Sequence, residues 1–136
     1  MIPKFRAWDN ELGRMMSIKN MWFQDSRIEE LELNDAVMNE HITAYPDEIE
    51  LMQSTGLKDK NGKEIFEGDI LIVSDEHSWL EVVSYNQEKA MFVTEEINRK
   101  YKVPESPLND LFDTNIFKFK VLGNIYENPE LLEDCK

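Results

Sequence analysis

The sequence predicts a mainly β protein, α+β at most. Two observations carry that reading: short runs of alternating apolar and polar residues, and turn chemistry between them at Gly13, Asn61-Gly62 and Gly68. The architecture expected is an N-terminal β-hairpin, a small antiparallel SH3-like barrel and a short C-terminal helix. One domain is expected over residues 1–136, with the hairpin and an acidic segment in 1–50 and the barrel region in 51–136.

The opening segment alternates, with Phe5 and Ala7 on one face and Lys4, Arg6 and Trp8 on the other. Asn10-Glu11-Leu12-Gly13-Arg14 supplies a reversal, because Gly13 takes positive φ without a Cβ clash. Met15-Met16-Ser17-Ile18 returns as the partner strand. In 24–50 the pattern is weaker. Ile28, Leu31 and Leu33 fit a strand or a short helix, and Asn34 is placed to cap a helix over Asp35-Ala36-Val37-Met38. Pro46 marks a break.

From residue 51 the signals sharpen. Asn61-Gly62 suits a type I′ reversal, which needs positive φ at both central residues. Phe66-Glu67-Gly68-Asp69 forms a second corner, entering a short apolar strand at Ile70–Val73. Further strands are expected at 79–85 and 90–93, and this close spacing suggests the small barrel. Glu95 to Tyr101 fits one helical turn or a polar loop. Pro104 and Pro107 favour an extended connection through 103–110. Phe117, Phe119 and Val121 then alternate with Lys118 and Lys120 as a half-buried strand. Asn128-Pro129-Glu130 has the cap, first-position proline and first-turn acid of a helix start.

Charge limits the choice of partner. Twenty-eight acidic residues against fifteen basic give a net −13, a mean field that repels free nucleic acid and anionic membrane surfaces. Residues 25–50 hold nine acidic residues and one basic residue, Arg27. That segment reads first as a solvated surface, and second as a face that engages a basic partner or imitates DNA. The single cysteine, Cys135, cannot form an internal bridge, which suits a reducing compartment. No apolar run approaches the roughly 20 residues of a membrane span, and 1–11 lack an apolar core of signal-peptide length. A host-cytoplasmic location is expected.

Chemistry finds little support. His41 and His77 lack ligand spacing, and with Cys135 they make three nitrogen or sulfur donors where a structural zinc site needs four. The stretch Asp59-Lys60-Asn61-Gly62 does not continue into a calcium loop. No glycine pattern cradles phosphate and no nucleophile elbow occurs. Glu64, Glu67 and Asp69 cluster at the turn and corner, where a catalytic carboxylate would need a raised pKa. The plainer reading, preferred here, has Asp69 accepting backbone N–H groups at the corner. Arg99-Lys100-Tyr101-Lys102 and Phe117-Lys118-Phe119-Lys120 would form a stacking platform for single strands if adjacent. Alternatively, the second run has one face in and one face out. No catalytic, cofactor-binding or metal residue is assigned, and no cofactor is expected. Trp8, Trp22 and Trp79 read as core or interface anchors, and Met15, Met16, Met21, Met38, Met52 and Met91 as core filler.

Three segments, PKFRAWDNELGRMM (3–16), LMQSTGLKDKNGKEIFEGDILI (51–72) and VLGNIYENPELL (121–132), resemble the YopX family of phage-encoded proteins. The most specific part is TGLKDKNGKEIFEGDI (55–70), which pairs an Asn-Gly turn with an EGD corner in fixed register. The resemblance implies a phage or prophage origin, a mainly β fold and self-association. It brings no catalytic residues. The expected role is a non-enzymatic binding or assembly module, a homo-oligomer acting on a host or phage protein. The alternative is a nucleic-acid-linked regulator, either an acidic DNA mimic or a weak single-strand binder.

Overall fold

A computed structural model describes residues 4–35, 38–97, 103–113 and 116–133. The chain is mainly β and divides into two compact units, residues 1–54 and 55–136.

The first unit is an antiparallel sheet. Its strands are β1 (Phe5–Asp9), β2 (Arg14–Gln24), β3 (Arg27–Asp35), β4 (Glu40–Ala44) and the start of β5 (Ile49–Lys58), in the order β4-β3-β2-β1-β5. The expected opening hairpin is present, with Ala7 opposite Met16. Its turn is built on buried Asp9, whose Oδ1 accepts the N–H groups of Glu11 and Leu12 at 2.9 Å, while Gly13 takes φ +64°. Ala7, Met16, Leu31, Leu33, Ala44 and Ile49 form the core of this unit.

Residues 24–50 are strand where a strand or short helix was expected. β3 runs through Asn34 and Asp35, so Asn34 is a strand residue and not a helix cap. Ala36 and Val37, part of that expected helix, lie outside the described residues. Asp35 serves the sheet instead. Its buried carboxylate accepts Arg14 Nη1 at 2.6 Å and the Met38 N–H at 3.3 Å. Pro46 does break the chain, into a 3-10 turn over Pro46–Glu48.

In the second unit, the end of β5 lies beside β6 (Glu64–Phe66). An open five-stranded antiparallel sheet follows, in the order β10-β9-β8-β7-β11. Its members are β7 (Asp69–Ser74), β8 (Ser78–Asn86), β9 (Met91–Glu96), β10 (Ser106–Pro107) and β11 (Lys118–Asn124). The strands expected at 70–73, 79–85, 90–93 and 117–121 are thus present.

Among the described residues the sheet does not close into the SH3-like barrel expected over 51–136, and two features of its edges fit that. The two-residue edge strand β10 contains Pro107, which has no N–H to extend a ladder. At the other edge, β11 gives the Val121 N–H to a side chain, Asp59 Oδ2, at 2.8 Å. The core is formed by Ile65, Leu71, Val73, Val83, Phe119 and a 3-10 turn, Leu108–Phe112, that buries Leu108 and Leu111. Trp79 meets Phe117 edge-on at 6.2 Å, and Phe112 meets Phe119 at 4.9 Å. Helix α1 spans Glu130–Glu133. Asn128 precedes it as expected, but its Oδ1 accepts the Asn124 N–H. Gly123 is required beside it, since a Cβ there would overlap the Asn128 side chain.

Candidate functional site

The carboxylates at the corner are the first candidates. Asp69 is buried and its Oδ2 accepts the Phe66 N–H at 2.8 Å, across the turn in which Gly68 has φ +85°. This is the structural role preferred from the sequence. Glu64 and Glu67 are half-buried.

The rest of the 55–70 motif acts in the same way. Thr55 Oγ1 donates to the Ile65 carbonyl at 2.8 Å and accepts the Leu57 N–H at 3.1 Å. Asp59 is its centre. Oδ1 accepts the N–H groups of Asn61 at 2.9 Å and Lys63 at 2.8 Å, and Oδ2 accepts that of Val121. Burial pushes the Asp59 carboxyl up, but these three bonds and the charge of Lys63 outweigh it and hold the group below the usual carboxylate range. The reversal is therefore not the type I′ turn expected at Asn61-Gly62. Gly62 alone is left-handed, at φ +82°, and Asp59 closes the loop.

The histidines lie on separate units. His41 Nδ1 sits 3.1 Å from Glu32 Oε1 and 3.2 Å from Lys19 Nζ, on the exposed side of β2–β4. A hydrogen bond from Asn20, aided by Lys19 and His41 and opposed by burial, holds Glu32 below its ordinary pKa. The His77 N–H donates to Asp75 Oδ1 at 2.9 Å, the chief cause of a lowered Asp75 pKa. Among the described residues, no three His, Cys, Asp or Glu side chains are placed to hold a metal. Cys135 lies outside them.

The basic–aromatic platform is not formed as expected. Phe119 is buried and Phe117 packs on the core, so their rings are unavailable for base stacking. Lys118 and Lys120 face outward, as simple alternation requires. Arg99, Lys100, Tyr101 and Lys102 lie outside the described residues. With Lys60, the two β11 lysines border a cleft of about 390 Å³ over β7 and β8.

A second surface is the far half of the β2–β3 hairpin. Asp25 and Ser26 are both left-handed, at φ +51° and +66°, between the paired residues Gln24 and Arg27. That is a type I′ turn. Register shifts between Ile18 and Asn20 and between Trp22 and Phe23 break the alternation of this hairpin. Beside the second shift, Trp22 is 46% exposed and Phe23 62%. Trp22 thus stands where an interface anchor would, whereas Trp79 packs against the core. Of the methionines, Met16 and Met52 are buried, but Met38 and Met91 are exposed rather than core filler.

The fold and these sites define a class of small, mainly β protein with open antiparallel sheets and a motif devoted to backbone anchoring. The YopX protein model matches residues 4–133, and the chain belongs to the YopX family. It is similar to the crystal structure of protein EF1440 from Enterococcus faecalis, at 29% identity and a TM-score of 0.67, covering 97% of this chain and 99% of that one. Protein YopX from Bacillus subtilis shares the fold, at 18% identity and a TM-score of 0.59, covering 94% and 96%. No curated protein matches. No described helix is long and apolar enough to cross a membrane.

Proposed function

We propose that this protein is a phage-encoded, non-enzymatic binding or assembly module that works through protein–protein contacts in the host cytoplasm. Its partner is a host or phage protein or a further copy of the chain. The observation that carries the reading is the exposed pair Trp22 and Phe23 on the outer half of the β2–β3 hairpin. Large aromatics are costly to leave in water and are enriched among residues that dominate interface energy. Exposed Asp25, Arg27 and Glu29 lie beside them, so the complementary surface is an apolar pocket with a mixed-charge, net basic rim.

The test is capture from host lysate with the full chain and with Trp22→Ala/Phe23→Ala, each with and without nuclease. The expected result is a protein captured by the native chain regardless of nuclease and lost with the double variant. Self-association sensitive to the same two residues, read by sedimentation, supports the assembly form. Capture that depends on nucleic acid contradicts the reading and favours a nucleic-acid-linked regulator. Turnover dependent on Glu67 or Asp69 contradicts its non-enzymatic part.

A further inference from the structure

We infer that the cleft bordered by Lys60, Lys118 and Lys120 is a binding site for a compact phosphate-class anion. The inference is independent of the hairpin surface.

The site is assembled from two parts of the second unit. Lys118 and Lys120 project from the outward face of β11, two residues apart and therefore about 7 Å along the strand. Lys118 pairs with Ser74 and Ser74 with Ser78, so one ammonium group and two hydroxyls lie in one row across β11, β7 and β8. Lys120 pairs with Ile72, which adds an apolar patch to the floor. Lys60 and Asn61 arrive from the β5–β6 turn. They are held beside β11 because Asp59 Oδ2 accepts the N–H of Val121, the residue next to Lys120.

Three features of this arrangement point to an anion. First, the lining contains three lysines and no carboxylate, in a chain with 28 acidic and 15 basic residues. Second, none of the three lysine side chains has an ion-pair or hydrogen-bond partner among the described residues, although those of Arg14, Lys19 and Lys89 each have one. Asp59, adjacent in sequence, is turned inward with both oxygens committed to backbone N–H groups. Third, ammonium groups with no carboxylate in the cleft lining repel one another, and a bound anion relieves that repulsion, with exposed Asp75 and Glu76 held in the turn between Ser74 and Ser78. Hydroxyl and amide donors at Ser74, Ser78 and Asn61 add the hydrogen bonds that a phosphoryl group accepts.

The size of the anion follows from the opposing fields. A cleft focuses its local potential, so a compact ligand experiences mainly the lysines. A long polyanion extends beyond the cleft into the field of a −13 chain and is repelled. The cleft volume is adequate for a phosphate or pyrophosphate group with room beyond it.

The experiment is a ¹H–¹⁵N NMR titration of the full chain at constant ionic strength. Inorganic phosphate, pyrophosphate and a twelve-residue oligothymidine are the separate probes. The expected result is saturable shifts at Lys60, Asn61, Ser74, Ser78, Lys118 and Lys120, with pyrophosphate tighter than the oligonucleotide. Lys118→Gln/Lys120→Gln should weaken pyrophosphate roughly tenfold or more, since each charged hydrogen bond is worth about a decade. Lys60→Gln, on a different element, should weaken it as well, while Lys89→Gln should not. All these side chains are exposed, and the amide spectrum itself reports whether each variant is folded. Shifts that rise linearly without saturating would overturn the proposal, as would equal affinity in the double variant. Tighter binding of the oligonucleotide would overturn it in favour of a nucleic-acid backbone.

Discussion

The two irregular hairpins of this chain solve the same problem in opposite ways. The β2–β3 hairpin closes on Asp25-Ser26, which both accept a left-handed backbone, and its outer half leaves Trp22 and Phe23 exposed. The β5–β6 hairpin puts a single glycine, Gly62, in that conformation, and Asp59 fastens it both to itself and to β11. The family motif falls on the fastened hairpin. Within it Thr55, Asp59 and Asp69 bond to backbone groups, so these parts of the signature hold the local architecture. The surfaces proposed for binding lie within the motif, at Lys60, and far from it in sequence, at Trp22.

Removing the fastener should have the largest effect. Asp59→Ala leaves the N–H groups of Asn61, Lys63 and Val121 without their acceptor, and unfolding in urea should show a loss of roughly 2–4 kcal/mol. A loss below about 0.5 kcal/mol would remove the contrast between the hairpins. The same group sets a pH dependence. Because its folded pKa is depressed, its stabilisation is complete above the unfolded value of about 3.9 and declines as pH falls from there through the lower folded value. The Asp59→Ala chain should lack that component of acid destabilisation when the two are compared by thermal melts.

Gly62→Ala should follow in size. A Cβ at 62 meets no atom within 4 Å, so the cost is that of the left-handed backbone, roughly 1–2 kcal/mol. At the other hairpin the sign reverses. Replacing Asp25-Ser26 by Asn-Gly matches the type I′ turn already present and should raise the melting temperature, with a gain of about 0.5–1 kcal/mol. A melting temperature lowered by that change would show that this tip is not a simple turn. Trp22→Ala/Phe23→Ala should alter stability least, since about half of each side chain is already in water, while abolishing partner capture.

These contrasts also explain what was legible in the sequence. Period-two alternation located β1, β8 and β11 and placed Phe119 inside and Lys118 and Lys120 outside, while β7 was legible as a short apolar run after the Gly68 corner. Asp69 was recognisable because its bond to Phe66 is local. The β2–β3 hairpin was obscured because its register shifts interrupt the alternation and its turn contains no glycine. Asn34, expected as a helix cap, is a strand residue because its pairing with His41 prevailed over a local capping preference. The lysine cleft was hidden for a different reason. Asp59 and Val121 are 62 residues apart, and neither has a neighbour in sequence that announces the bond between them. Barrel closure was likewise a matter of two sheet edges, where Pro107 and Asp59 decide the outcome.

The most direct test of the account is to follow the backbone amide protons of Asn61, Lys63 and Val121 by NMR as pH is lowered. If one carboxylate holds all three, they should shift together with a single midpoint below the ordinary aspartate range, and that transition should vanish in Asp59→Asn. A Val121 amide that ignores this titration, or midpoints that differ among the three, would contradict the claim that Asp59 joins the motif's turn to the edge of the sheet.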